Sequence, residues 1–561
     1  MHPTDTEGKM IHWLLDITWG AKIYHFSTTP VRKTDGTYYA GGMSDISITQ
    51  TASYASTSID DNSIPMELTF TDIDWIKEWL QGRTLANAQA KIYLAAVQDD
   101  TVTTSEHVFT GYVVDPIFAV PTKPPGYVTF SIEQRVVRKK ILEDGWIIDA
   151  YRFPGLDQRA AALGRFIQYP MGKYVPLAFG TLGVWTTAVS VGTDNALLYS
   201  DRASCTPVYA VDVTGSGVTL EVKYVLCIGK TGATRVRIFD QTGGNFVNTI
   251  RRDQNADGVI YSYTTYKLGS VIEDNAFFPA IDEDQTFWAS WGEYGDAMID
   301  PLTKESLSLA GNLCMYILSI MGIDYNLSAW LGLKTTLNRY KFAGYINDGG
   351  AYTFEWWMEN IVQYLPITVI QGEQGLEPKL NLYYYNRDQI YAKYHISESG
   401  IFQQLTPLQP LDIDIVNKVT LRYAYEGDND HYLSTFVIDP TMRYTDKLNP
   451  MRQRDPISDI SYQQYGLKEA ELELPFVWDY DTAQRIAKDY IRLRALGGYG
   501  IEIQADSRYT YLQVGDVIAY TNSALGISGH KCMIVSKSWA NNSWHFIIQL
   551  ESNTLINPRS I

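Results

Sequence analysis

From Asp479 to Leu550 the chain is patterned as one amphipathic helix followed by four short strands, and this stretch constrains the fold more tightly than any other. Asp481 stands at the N-cap position, and Ala483, Ile486, Ala487, Tyr490 and Ile491 recur at helical spacing before Gly497 and Gly498. This predicts a helix over 482–496. Tyr499–Ala505 then alternates apolar and polar, and Gly515-Asp516 turns the chain into Val517-Ile518-Ala519. Two last strands, Lys531–Val535 and Trp544–Leu550, flank Asn541-Asn542. A helix feeding antiparallel strands predicts a small β-barrel with the helix packed on it.

The N-terminal residues 1–140 use the same recipe without a residue-level repeat. Trp13–Phe26 and Ile46–Ser53 read as strands, and Thr71 caps a helix through Ile73, Ile76 and Leu80 to Gly82. Strands resume at Lys91–Val97, Glu106–Val114 and Gly126–Glu133, so a first barrel is expected here. Residues 141–298 form an inserted β-rich domain. Its hairpin signals at Thr214–Gly217, Thr242–Gly244 and Asp257-Gly258, with no helical pattern, predict a β-sandwich.

Residues 299–410 change to a mixed α+β pattern. Asp300-Pro301 caps a helix carrying Leu302, Leu309, Leu313, Ile317 and Ile320 up to Gly322. Phe354, Trp357, Met358, Ile361, Val362 and Leu365 share a second helical face before Pro366, and strands Ile367–Gln371 and Leu380–Tyr385 flank a Gly375 turn. Residues 411–561 are read as one barrel domain. Its strands Val416–Tyr425 and His431–Ile438 are parted from Ala470–Leu474 by a proline-bearing excursion loop, 439–459. The fold class expected is mainly β with α+β parts: two barrels each with one helix, an inserted β-sandwich and a mixed α/β unit.

Composition excludes several function classes. With 45% hydrophobic residues, 13% aromatic residues and 40 Tyr, the chain has the means to bury several cores. A formal net charge of −17 argues against a surface that grips nucleic acid, because phosphate contacts require clustered Lys and Arg. The polar stretch Met1–Lys9 has no signal-peptide pattern, and Leu313–Ile323 falls short of the ~20 apolar residues a bilayer requires. Cys205, Cys227, Cys314 and Cys532 lack CxxC spacing and read as buried thiols.

Catalytic and metal motifs fail on inspection. His2, His12, His25, His107, His395, His431, His530 and His545 form no HExxH and no zinc-spaced cluster. Gly229-Lys230-Thr231 lacks the first P-loop glycine, since Tyr224 stands in its place, and Gly526–Gly529 joins strands instead of turning into a helix. Asp253, Asn255, Asp257 and Gly258 copy half of an EF-hand loop, but Thr264 occupies the position of its bidentate Glu. The acidic groups Asp60-Asp61 and Asp282–Asp284 read as solvated loops. No catalytic, cofactor-binding or metal residue is therefore assigned, no cofactor is expected and the chain reads as a non-enzyme. Among Trp288, Trp291, Trp356 and Trp357, Trp357 sits on an apolar helical face, so Trp356 is the candidate for contact with a partner or sugar.

Four passages carry a family resemblance. They are Phe342-Ala343-Gly344-Tyr345-Ile346-Asn347-Asp348 with the helix behind it and Leu380-Asn381-Leu382, Asn417–Tyr423, Tyr465-Gly466 leading to Asp481-Thr482-Ala483, and Gln513-Val514-Gly515-Asp516-Val517-Ile518. In order and spacing they resemble the tail hub of tailed bacteriophages and gene transfer agents, the family of lambda-like tail-tip attachment proteins and contractile-baseplate central hubs. The N-terminal barrel looks like the tube-docking domain of hubs and distal tail proteins, and Tyr174–Gly180 is similar to a segment of gene-transfer-agent tail proteins. The sequence ends at Ile561 without the fibronectin-like and receptor-binding parts of lambda-like members, so direct host recognition is not expected.

The resemblance implies a homotrimer in the virion tail tip, assembled in the host cytoplasm. It would close the distal tail tube and contact the tail tube or distal tail protein, the tape-measure protein, and a spike, fibre or receptor-binding protein. DNA would meet it only in transit at ejection. Three chains with two barrels each match a sixfold tube, and an acidic channel wall repels DNA. Gly344, Tyr345, Gly515, Asp516 and Val517 are then scaffold positions. The alternative is a carbohydrate-binding or carbohydrate-cleaving tail protein acting on the host envelope.

Overall fold

The computed structural model describes residues 9–551 apart from internal segments, the longest being 52–62, 71–84, 134–146, 155–171 and 268–286. The helix expected after Thr71, the acidic groups at 60–61 and 282–284, and Trp291 lie outside the described residues. The described chain is mainly β with short helices.

An eight-stranded N-terminal sheet contains Met10–Trp19, Lys22–Ser27, Gln89–Gln98, Thr101–Ala119, Gly126–Glu133 and Ser63–Phe70. The expected Trp13–Phe26 strand is two strands, because Gly20 takes a positive φ and reverses the chain. Alternation sends Trp13, Leu15 and Ile17 to one face with Ile92, Leu94, Val128 and Phe130, all buried.

A second eight-stranded sheet is built from Gly498–Ala505, Val517–Asn522, Ile527–Ala540 and Ser543–Glu551, with three short strands from 394–410. Asn541 and Asn542 both have positive φ, the requirement of a two-residue type I′ turn between Ala540 and Ser543. The remaining strand comes from the other end of the chain. Ile48–Thr51 pairs antiparallel with Ser536–Trp539, so the N-terminal region supplies a strand to the C-terminal sheet. The two sheets bury one continuous core, in which Trp13 meets Trp539 edge-on at 5.5 Å and Trp544 at 6.3 Å.

Between 206 and 290 six strands close into a barrel, which replaces the expected β-sandwich. Phe287–Ser290 pairs with both Thr206–Thr214 and Arg235–Phe239 and so joins the two ends of the sheet, a closure that turn signals alone do not reveal. Asp253 and Asn255 lie in one strand, opposite Ser262 and Ile260 of another, while Asp257 and Gly258 of the half EF-hand pattern lie outside the described residues.

The helix expected from Asp300 starts later, at Ala310, and runs to Met321, closed by Gly322 in the left-handed conformation. A further helix, Leu327–Leu337, was hidden by its weak apolar face and is capped by Asn326. The helix behind Gly344 spans Thr353–Asn360 and continues as one 3-10 turn. The following hairpin pairs Ile367–Gly372 with Gly375–Leu380, so its second strand ends where it was expected to begin.

The expected single barrel over 411–561 is two units. Lys418–Glu426, His431–Ile438, Arg452–Gln453 and Glu469–Leu474 form their own four-stranded sheet. The helix Tyr480–Arg494 buries Ala483, Ile486, Ala487 and Ile491 with Leu421 and Phe436 of this sheet, not against the C-terminal sheet. Its N-cap is Asp479, whose carboxylate accepts from Thr482 N, and not Asp481. Lys418–Glu426 and Glu469–Leu474 run parallel, which requires a crossover. The helix Pro456–Tyr465, with Asp455 as cap and proline in its first turn, lies within that crossover and occupies the end of the expected 439–459 loop. At the other end Asp439 is buried and accepts from Thr441 and Arg452, and residues 443–450 lie outside the described ones.

Candidate assembly site

The motif residues gather at two joints. At the first, Gly344–Ile346 pairs with Leu177–Phe179, and Ala343 N donates to Phe476 O at 2.8 Å. A Cβ on Gly344 would run into the Phe476 ring, so glycine is what permits this approach. Trp356 stands edge-on to Phe476 at 5.3 Å and to Phe179 at 6.0 Å, while Tyr345 meets Trp288 at 6.1 Å. Burial holds the Tyr345 hydroxyl above the ordinary tyrosine range. The structure therefore brings Gly344, Tyr345 and Trp356 together as an internal aromatic joint. Trp356, expected to face a partner, is half-buried within it because Phe476 arrives from a distant part of the chain.

At the second joint Gly515, with φ of 83°, turns the chain over Lys379. Gly515 N donates to Ile534 O at 2.8 Å, and Ile534 N donates to Asp516 O at 3.1 Å. The buried Asp516 carboxylate accepts from Gln513 N at 2.9 Å and meets Lys379 Nζ at 3.2 Å. Lys379 also meets Glu377 at 2.9 Å, and Glu377 accepts from Asn326, the cap of the Leu327–Leu337 helix. Burial pulls the Lys379 ammonium down, but Asp516 and Glu377 outweigh it and hold it above the ordinary lysine value. Val517 then enters the sheet with its side chain buried. This turn ties the C-terminal sheet to the hairpin and to a helix cap.

Two buried ions were not singled out from the sequence. Asp489 accepts from Tyr340 OH and Tyr385 N, each at 2.6 Å, and burial raises its pKa to about 7 against those hydrogen bonds. Lys537 donates to the Thr510 and Leu512 carbonyls at 2.6 and 2.7 Å and lies 4.1 Å over the Trp544 ring. Burial lowers its pKa to about 7. A polar run, Ser536-Lys537-Ser538, inside an apolar strand was the available signal for Lys537; Asp489 had none beyond lying between Ala487 and Ile491.

The four cysteines form no disulfide and are buried, the burial being as expected. Among the described residues no cluster of three His, Cys, Asp or Glu could hold a metal ion, and no helix is long and apolar enough to cross a membrane.

The chain is similar in structure to proteins described as tail or virion components. One is the prophage MuSo2 43 kDa tail protein from Shewanella oneidensis, at 10% identity and TM-score 0.35, covering 98% of this chain and 100% of that one. Another is a tail protein from Neisseria meningitidis MC58, at 9% identity and TM-score 0.33, covering 96% and 97%. A third belongs to the virion of a native gene transfer agent particle, at 10% identity and TM-score 0.38, covering 70% and 88%. Similarities this shallow fix neither fold nor function. No family model and no curated protein matches the sequence.

Proposed function

We propose that this chain is the structural hub of a phage-type tail tip, a homotrimer that closes the distal tail tube. The supporting observation is the shared core of the two eight-stranded sheets, locked by the Ile48–Thr51 strand that leaves one and joins the other. A chain built this way presents two β-sheet units at a fixed separation, and three copies present six, the number a sixfold tube requires. The tube or distal tail protein would dock above, and a spike, fibre or receptor-binding protein below. The tape-measure protein and then DNA would pass when movement of those partners opens the ring. The carbohydrate alternative loses its anchor, because Trp356 is packed against Phe179 and Phe476.

The reading is tested by sedimentation of the full chain together with a low-resolution map of an intact tail tip. Three copies around the tube axis are expected. Six copies would make the chain a distal tail ring, and a stable monomer that turns over host polysaccharide would overturn the hub.

A further inference from the structure

Two sheet edges of this chain carry complementary side chains at the same spacing. The first is the end of the C-terminal sheet. Tyr394–Ile396 pairs in parallel with Val517–Asn522, and the chain leading into it is already held there, with Lys393 N donating to Val517 O. From Tyr391 to Ile396 exposure alternates with strand period: Tyr391, Lys393 and His395 face out while Ile396 is buried. Tyr391 is 79% exposed, and neither Lys393 nor His395 has a carboxylate partner among the described residues.

The second is the end of the four-stranded sheet. Glu469–Leu474 pairs with Lys418–Tyr423 and leaves its other side open. Here Glu469, Glu471 and Glu473 are exposed at alternate positions, and Leu467 and Lys468 just ahead of the strand are exposed as well. Glu469 meets Lys418 at 2.9 Å, while Arg422 alone serves both Glu471 and Glu473, so three carboxylates share two cations. Tyr364 OH donates to Glu473 O and closes the far end, which leaves Leu467–Leu472 available.

We propose that these edges pair between neighbouring copies of this chain, in parallel, with Tyr391 opposite Leu467, Lys393 opposite Glu469 and His395 opposite Glu471. Each pair then matches: the exposed ring covers the exposed leucine, and each cation faces a carboxylate. The pairing satisfies backbone groups that an open strand edge leaves to water. The two surfaces differ, so the contact is head-to-tail and must close into a ring to be finite. The proposal rests on the trimeric hub reading and specifies its subunit contact.

Cysteine capture in the full chain tests it. A chain carrying both Lys393→Cys and Glu469→Cys should yield covalent species up to a closed trimer on oxidation. Each single variant should stay uncoupled, since a head-to-tail contact never brings two like positions together. The native cysteines are buried and contribute no background. Charge reversal gives a second readout that does not depend on oxidation. Lys393→Glu or Glu469→Lys should raise the concentration for half-assembly roughly tenfold, and the two reversals combined in one chain should restore it. If the double-cysteine chain sediments as a trimer but captures no more than the single variants, this contact is wrong and the hub reading survives. Dimers captured by a single variant would replace it with a symmetric contact. An unmodified chain that stays monomeric at all concentrations removes both.

Discussion

The N-terminal and C-terminal sheets have equal strand numbers and share one core, yet they carry unequal loads. The outer face of the N-terminal sheet covers a small cluster made of Leu14, Val31, Tyr39, Ala95, Val97 and Val102. The second face of the C-terminal sheet sends Val517, Met533 and Val535 into the large core that holds the helices, the closed barrel and the four-stranded sheet. One sheet is a flank; the other is a layer between two cores. Damage to the layer should therefore spread, and damage to the flank should stay local.

Trp544 is the deepest test of that difference. Trp544→Ala removes a ring buried among Trp13, Trp539 and Phe546 and should cost about 3–5 kcal/mol. Hydrogen exchange should show both sheets losing protection together. Leu14→Ala, in the small outer cluster, should cost about 2–3 kcal/mol, with the loss confined to the N-terminal sheet. Equal costs and equal spread in urea titration and exchange would erase the distinction.

Asp516→Ala probes how the layer is tied to the hairpin. It strips Lys379 of one of two carboxylates and leaves Gln513 N without its acceptor, but Glu377 still holds the ammonium. The expected loss is about 1–3 kcal/mol, less than for a charge left wholly unpaired. Asp516→Asn, which keeps the turn acceptor, should recover part of it. An undiminished Tm for Asp516→Ala would show that the turn is not structural.

Local chemistry was legible in the sequence and partnership was not. The strand Gly126–Glu133 is legible because one buried face imposes a period of two, whereas Gln89–Gln98 keeps that period only as far as Leu94, beyond which both of its faces are buried. The Tyr480–Arg494 helix was found through its apolar spacing, although the cap was placed two residues late because Asp479 and Asp481 are both capping residues and geometry chose the first. Which surface that helix covers depends on strands 418–474 pairing among themselves, a long-range choice that periodicity does not encode. The same holds for Ile48–Thr51, whose strand pattern was plain while its destination in the other sheet was not. Gly344 and Gly515 were legible as special positions, but the Phe476 ring and the Lys379 stem that make them so come from far along the chain.

The two buried ions give the finest test, because they sit on opposite sides of the C-terminal sheet's role and their pH dependences have opposite signs. Lys537, inside the core the sheets share, titrates near pH 7 when folded and near 10.5 when unfolded. Between those values the unfolded chain holds more protons, so stability falls as pH drops from about 10 to about 7, and the cost is complete below that. Asp489, on the helix of the other core, titrates near pH 7 when folded and near 3.8 when unfolded. The folded chain then holds more protons, and stability falls as pH rises from about 4 to about 7. Each slope is about 1 kcal/mol per pH unit. Lys537→Met should flatten the stability profile above pH 7 and leave the acid side intact, while Asp489→Asn should do the reverse. Followed by hydrogen exchange, the alkaline dependence should appear in the two sheets and the acid one in the helix and the four-stranded sheet. If either substitution flattened both limbs, the two cores would be one cooperative unit, and the division between flank and layer would not describe how this chain unfolds.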